Sequence, residues 1–373
     1  MTTIASNRML VGDSLQPTVI DIRDGMIVSR EPWHGQSADF EYPDQIVSPG
    51  FIDIQVNGFK GVDVALGTAS ELDSMSVALA RTGVTSFVPT MTTSPIETYS
   101  AYCRNWNALL TQSWSGAIPI GLHWEGPFLS RTFRGTHPEN LVTEIDLEVI
   151  RQWATCESLT YVTLAPELDH ACEAIEILVR AGKRVCIGHS GATQQQTQAA
   201  VSAGATGVTH LYNAQPKPHH TSDSISGWAL GDSELLLGLI ADGVHVSEEL
   251  IAHTFAIAGN RVCLVTDAIS AAGMPDGQHR LGEHVDIAVV DGLARNQDGV
   301  LAGSTATLDL CIRQCLSVGV EVTTALLAAT RNPASFLGLN NRGAIESGAR
   351  ADLVVLDDRA HVQATMISGT WVR

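Results

Sequence analysis

A glutamate, two histidines and an aspartate each end a run of residues that is otherwise apolar. Glu125 ends IPIGLHWEG, His189 ends RVCIGHSG, His210 falls in GVTHLYN and Asp267 in RVCLVTDA. Taking ionisable groups out of water is costly unless they pair or bind a metal. Singly, each has a plainer reading: a strand-end histidine hydrogen-bonded into the structure, Glu125 or Asp267 as a helix cap. Together at matching ends of separate runs they point to metal chemistry. One carboxylate and two imidazoles make an open three-ligand site for one divalent ion per chain, zinc by donor type, with a fourth position left for water. Asp267 then serves as general acid/base, taking a proton from the attacking water and delivering it to a leaving nitrogen. Gln55 and Asn57 on the first run, and Asp242 and His245 after the seventh, occupy equivalent ends.

These residues need a scaffold that gathers strand ends. From Gly50 to about Asp267 the chain repeats a short apolar run followed by a helical pattern, and eight such runs can be read: FIDIQVNG, VTSFVPT, IPIGLHWEG, LTYVTLAPE, RVCIGHSG, GVTHLYN, LLLGLIADG and RVCLVTDA. Near-continuous apolarity marks strands covered on both faces, and strands alternating with helices predict a closed parallel α/β barrel. The fold class is therefore α/β, a (β/α)8 TIM barrel, whose site residues sit at the C-terminal strand ends. No G-x-G-x-x-G follows the first strand, so the mark of a dinucleotide fold is missing. Residues 1–48 read as short antiparallel strands, and GARADLVVLDD with VQATMISGTWVR reads the same way near the other end. This predicts a small β-sandwich domain formed by both termini (1–48 and 345–373) beside a barrel over 49–344. The tail from Ser304 to Leu337 reads as two further helices.

Composition narrows the partners. A net charge of −18 opposes nucleic acid and anionic membranes, both of which need a positive footprint. No run of 18 apolar residues suggests a membrane span. The N-terminal stretch MTTIASNRMLVGDSLQ lacks the pattern of a signal peptide. Seven irregularly spaced cysteines read as reduced, mostly buried thiols, and the expected location is cytoplasmic. A small anionic substrate remains compatible, because a local cationic clamp outweighs a screened global field.

The motifs PGFIDIQVNG (49–58), GLHWEGPF (121–128), GTHPEN (135–140), LAPE (164–167), GHSGAT (188–193), THLYNA (209–214), LIADGVHV (239–246), LVTDAI (264–269) and LAGS (301–304) stand in this order along nearly the whole chain. In them the sequence resembles the N-acetylglucosamine-6-phosphate deacetylase family of the amidohydrolase superfamily. The resemblance implies hydrolysis of the acetamido group of an N-acetylhexosamine 6-phosphate by a homodimer. It matches Glu125, His189 and His210 to the metal ligands, Asp267 to the acid/base, and His137 to the residue that hydrogen-bonds the acetyl carbonyl. Thr136, Asn213, Ala214, His245 and the loop of Leu301, Ala302 and Gly303 match substrate contacts. Most amidohydrolases place His-x-His on the first strand for a second metal; Gln55-Val56-Asn57 stands there instead, as in deacetylases of this family, so the second-metal position is expected to be vacant. Family members commonly carry an arginine after the Asn-Ala pair that reaches the sugar phosphate in the neighbouring subunit. Here that position falls at Thr221, with Lys217, His219 and His220 nearby as candidate phosphate contacts.

Overall fold

The computed structural model describes residues 1–231 and 234–372. Eight parallel strands pair in chain order: Phe51–Val56, Val84–Thr92, Leu122–Glu125, Leu159–Leu164, Arg184–Ile187, Gly207–Val208, Leu236–Leu239 and Val262–Leu264. Val56 bridges Ala268 in parallel, and the Asn57 N–H donates to the Ala268 carbonyl at 2.8 Å, which brings the eighth strand back to the first. These strands are apolar throughout because the barrel interior covers one face and the helices the other. Leu122, Val162, Val185, Leu237 and Leu264 are all fully buried. Each such side chain contributes about 1.5–3 kcal/mol relative to exposure.

Helices follow the strands, and their starts are written locally. Thr68 and Thr193 accept from the third helical N–H of Ala69–Ala80 and Gln194–Ala203, while Glu71 and Gln196 reach back to the cap N–H groups. Beyond the barrel, the expected pair of helices after Ser304 is three: Leu308–Ser317, Val322–Ala329 and Arg331–Leu337. Thr330 breaks the second from the third (φ −130°, ψ −79°). Pro333 then sits in the first turn of the third helix, where a missing N–H costs nothing.

A second departure lies between the eighth strand and Leu308. Gly277–Leu281, Val285–Val290 and Leu293–Asn296 form an antiparallel three-stranded sheet that the sequence reading missed. Leu281, Ile287, Val289 and Ala294 pack with Ile269 and Ala302 beneath it.

The termini build a seven-stranded sheet from Thr2–Val11, Ser14–Arg23, Met26–Pro32 and Phe40–Pro49 with Leu353–Leu356, Val362–Ile367 and Thr370–Trp371. Its strands are longer than expected, three of them ten residues each. One pairing is parallel, Thr2–Val11 with Phe40–Pro49, and the rest are antiparallel. Ile4, Ile20, Val47, Leu353 and Val355 form its own core.

The cysteine expectation is corrected in one respect. Cys103 on Ile96–Leu109 and Cys156 just after Leu147–Ala154 form a disulfide, their Cα atoms 5.9 Å apart across 53 residues of sequence. Packing of two adjacent helices brings them together, which spacing alone does not reveal. The other five are thiols, with Cys186, Cys263, Cys311 and Cys315 buried and Cys172 exposed.

Candidate active site

Strand ends deliver Glu125, His189 and His210 to one point. Glu125 Oε1 lies 3.2 Å from His189 Nε2 and 2.9 Å from His210 Nε2, and the two Nε2 atoms are 3.0 Å apart. Among the described residues these three form the cluster able to hold a metal, and all are buried. Ligand atoms about 2.0–2.1 Å from an ion at tetrahedral corners lie roughly 3.3 Å from one another, so the donor triangle fits a divalent ion. His189 Nδ1 donates to the Phe133 carbonyl at 3.1 Å, leaving the Nε2 lone pair turned inward. The Glu125 carboxyl would be raised by burial, yet its bonds to both imidazoles hold it well below the ordinary carboxylate range. Burial lowers His189. Burial also opposes charge on His210, but the Glu125 bond overrides it and raises that ring.

Three of the key residues sit on strained backbone. His189 (φ 50°), His210 (φ 28°) and Asp267 (φ 50°) occupy the left-handed region, as do Tyr212 and Ala214 just beyond. The conformation costs about 1–2 kcal/mol for a residue with a Cβ, and it clusters where side chains must turn from a strand end into the mouth.

Asp267 starts no helix and is not a cap. Its Oδ1 accepts from Asn57 Nδ2 at 2.6 Å and from Gln55 Nε2 at 3.2 Å. Gln55 Nε2 also donates to Glu125 Oε1 at 3.1 Å. An amide N–H thus stands between the two carboxylates. Burial, then the nearby Glu125 charge, push the Asp267 carboxyl up to about 7.

His137 is buried on the loop after the third strand. Its Nδ1 accepts the Thr93 backbone N–H at 3.3 Å and lies 2.7 Å from Thr93 Oγ1. An Nδ1 that accepts a backbone proton puts the ring hydrogen on Nε2. Burial, reinforced by His189, pushes the His137 pKa down to about 3, so the ring is a neutral donor.

A pocket of about 800 Å³ opens over these groups. Thr136, Asn213, Ala214, His245, Leu301 and Gly303 line it. Ala302 does not: it is fully buried and its N–H donates to the Ala294 carbonyl, because alternate residues of this stretch face opposite sides. Lys217, His219, His220 and Thr221 are exposed. Neither Lys217 nor the two histidines line the pocket; His219 and His220 border a separate groove with Asp223 and Trp228.

Several contributors escaped the sequence reading. Asp53 accepts the Thr266 hydroxyl at 2.6 Å and the Gln55 N–H at 3.3 Å, tying the first strand to the eighth beside Asp267. Burial raises its carboxyl to about 6. His123 lies below Glu125 on the third strand, stacked on Tyr161 at 3.8 Å and bonded to Thr163 at 2.7 Å. Glu167 accepts from Ser190 Oγ and the Gly191 N–H at 2.5 and 2.7 Å, holding the turn that follows His189. Asp242, named with His245 in the sequence, accepts from His245 Nδ1 at 2.7 Å. Period-2 spacing was the available signal: Asp53, Gln55 and Asn57 share a strand face, as do His123 and Glu125.

A barrel rim that gathers two imidazoles and a carboxylate, with a second carboxylate beside them, is the arrangement of a metal-dependent hydrolase. The profile described as "Amidohydrolase family" matches residues 46–372. The chain belongs to the amidohydrolase family and, within it, to the family of the N-acetylglucosamine-6-phosphate deacetylases. It is 39% identical over 344 residues to the N-acetylglucosamine-6-phosphate deacetylase of Mus musculus, covering 88% of this chain and 83% of that one. It is 36% identical to the N-acetylgalactosamine-6-phosphate deacetylase of Escherichia coli O157:H7, covering 99% of both chains. Among solved structures, a variant of N-acetyl-D-glucosamine-6-phosphate deacetylase from Mycobacterium smegmatis in complex with N-acetyl-D-glucosamine-6-phosphate superposes with a TM-score of 0.91. That match has 34% identity over 100% of this chain and 99% of that chain. No helix among the described residues is long and apolar enough to cross a membrane.

Proposed function

We propose that this enzyme hydrolyses the acetamido group of N-acetylglucosamine 6-phosphate, giving glucosamine 6-phosphate and acetate. The observation that carries the reading is the juxtaposition of the Glu125–His189–His210 triangle with Asp267 and a neutral, Nε2-protonated His137 around one pocket. Glu125, His189 and His210 would hold a single divalent ion, zinc by donor type, and such an ion supplies Lewis acidity toward water and the acetyl carbonyl. Asp267 takes the proton from the attacking water and returns it to the amide nitrogen as the C–N bond breaks. The His137 Nε2–H donates to the acetyl oxygen, where negative charge develops. Gln55 and Asn57 hold Asp267 in place and leave the second-metal position vacant. His245, Thr136, Asn213 and the Leu301–Gly303 loop orient the sugar.

A second reading replaces the substrate by its galactosamine epimer. The end-to-end likeness to an N-acetylgalactosamine-6-phosphate deacetylase supports it, and an unphosphorylated N-acyl amino sugar is the third candidate. The active form is a cytoplasmic homodimer in this proposal, with the domain boundary at residues 48/49 and 344/345. Acetate release from both N-acetylhexosamines, each with and without the 6-phosphate, tests it. Preferred turnover of N-acetylglucosamine 6-phosphate supports the first reading, whereas turnover of the galactosamine compound alone transfers it to the epimer. No release from any of the four overturns deacetylation.

A further inference from the structure

The chain carries 22 lysines and arginines against 40 aspartates and glutamates, so an average surface patch is acidic. The rim of the catalytic pocket reverses this. Apart from Glu125 and Asp267 in its floor, its charged lining consists of Arg131, Arg134, Arg295 and one acid, Asp298. The arginines come from two sources. Arg131 and Arg134 belong to the loop that follows the third barrel strand and carries His137; Arg295 lies on the inserted three-stranded sheet.

The three do different work. Arg134 donates to the Gly135 and His137 carbonyls at 3.2 and 3.3 Å and to the Glu139 carboxylate at 3.4 Å, so it braces the loop that presents His137. Arg131 donates to the Glu139 carbonyl at 3.3 Å, and Arg295 to the Gly299 carbonyl at 2.7 Å. A guanidinium has five N–H donors in a planar fork, so one carbonyl bond on each of these exposed arginines leaves most of the fork for an anion. Lys217, His219 and His220 lie outside this pocket.

We infer that the 6-phosphate of the substrate is held within the chain's own pocket, between Arg131 and Arg295. The contact that Thr221 cannot make across a subunit boundary is thereby supplied from the same chain that carries the metal ligands. A pocket of about 800 Å³ joins the catalytic floor to both guanidiniums, a size suited to a small-molecule ligand. Bidentate arginine–phosphate bonding gives strength and orientation that lysine or histidine does not reproduce. The inference rests on the deacetylase reading above.

The test compares acetate release from N-acetylglucosamine 6-phosphate and from N-acetylglucosamine. It uses wild type, Arg131→Ala/Arg295→Ala, Arg131→Lys/Arg295→Lys and His219→Ala/His220→Ala. The ratio of kcat/KM for the two sugars should fall by about tenfold or more in the alanine pair, chiefly through KM, and partly in the lysine pair. It should hold in the histidine pair. Inorganic phosphate should compete with the phosphorylated sugar in wild type and lose that effect in the alanine pair. An unchanged ratio in the alanine pair overturns this inference alone and leaves deacetylation standing, and a ratio lost only in the histidine pair does the same by moving the contact to those residues. Absence of acetate from both sugars in wild type overturns the N-acetylglucosamine reading and this inference with it.

Discussion

His189 Nε2 and His210 Nε2 face each other at 3.0 Å, with Glu125 Oε1 within 3.2 Å of both. Two bare lone pairs at that distance repel, so a cation belongs between them: a proton without metal, a divalent ion with it. The raised basicity of His210 says where the proton rests. Metal binding must expel it, so metal affinity should fall as pH is lowered, beginning above the ordinary histidine value of about 6.5. Competition with a chelator between about pH 8 and about pH 6 reads this directly. Metal analysis should give one ion per chain, and His189→Ala should lose metal and activity together. Two tightly held ions, one of them on Gln55 or Asn57, would contradict the single site.

Asp267→Asn keeps the shape but removes the proton carrier. Metal should stay bound while kcat falls about 10²–10⁴-fold. Asp267 works as a base only when ionised, so activity in the wild type should be lost as pH falls through its pKa. Burial and Glu125 hold that pKa up at about 7 in the metal-free chain; a dication alongside draws it lower. The acid limb of the kcat profile should therefore lie below pH 7 and vanish from the residual activity of the variant. Near-normal turnover by Asp267→Asn would move the acid/base role elsewhere.

His137 should contribute no limb at all. Burial keeps its pKa near 3, so the ring is neutral and its Nε2–H available across the working range. His137→Ala should lower kcat about 10²–10³-fold, the loss typical of one oxyanion donor, with metal content and the shape of the pH profile intact. A profile whose acid limb disappears with His137 would identify this ring, and not Asp267, as the titrating base.

How far the chain announces this site depends on distance in sequence. The barrel was legible because each strand is apolar on both faces, so that Glu125, His189, His210 and Asp267 interrupt a run that would otherwise be core. Asp53 and His123 stood in the same runs, one alternation earlier, and the period-2 rule applied to Asp53-x-Gln55-x-Asn57 would have exposed a polar strand face. The inserted sheet was not legible in the same way. Its segments GQHRL and LARN are short, polar and partly exposed, and pairing with Val285–Val290 and packing over Ile269 and Ala302 hold them. Arg131 and Arg295 are 164 positions apart, as the numbering gives directly, and meet at one pocket only because the barrel closes. The Cys103–Cys156 bond follows from helix packing in the same way.

Gly303 offers a test of how Asp267 is held. Its φ is 55°, and a Cβ there would lie 2.7 Å from the Asp267 carbonyl oxygen and 2.5 Å from Ile269 Cγ2. The next residue, Ser304, donates its N–H to that same carbonyl at 2.8 Å. Gly303→Ala therefore combines left-handed strain of about 1–2 kcal/mol with a steric push on the backbone of Asp267. Gly319 has φ 87° and nothing within 4 Å of a Cβ, so Gly319→Ala carries the strain without the push. Both variants should lose stability, measured by thermal unfolding, and Gly303→Ala should lose more. Only Gly303→Ala should also lose kcat, because the carboxylate it displaces must stay within reach of both the water and the leaving nitrogen. Metal content should be unchanged in each, since neither touches Glu125, His189 or His210. Equal kcat in the two variants would mean that Asp267 is positioned by Gln55 and Asn57 alone, with the Gly303 turn serving only the fold.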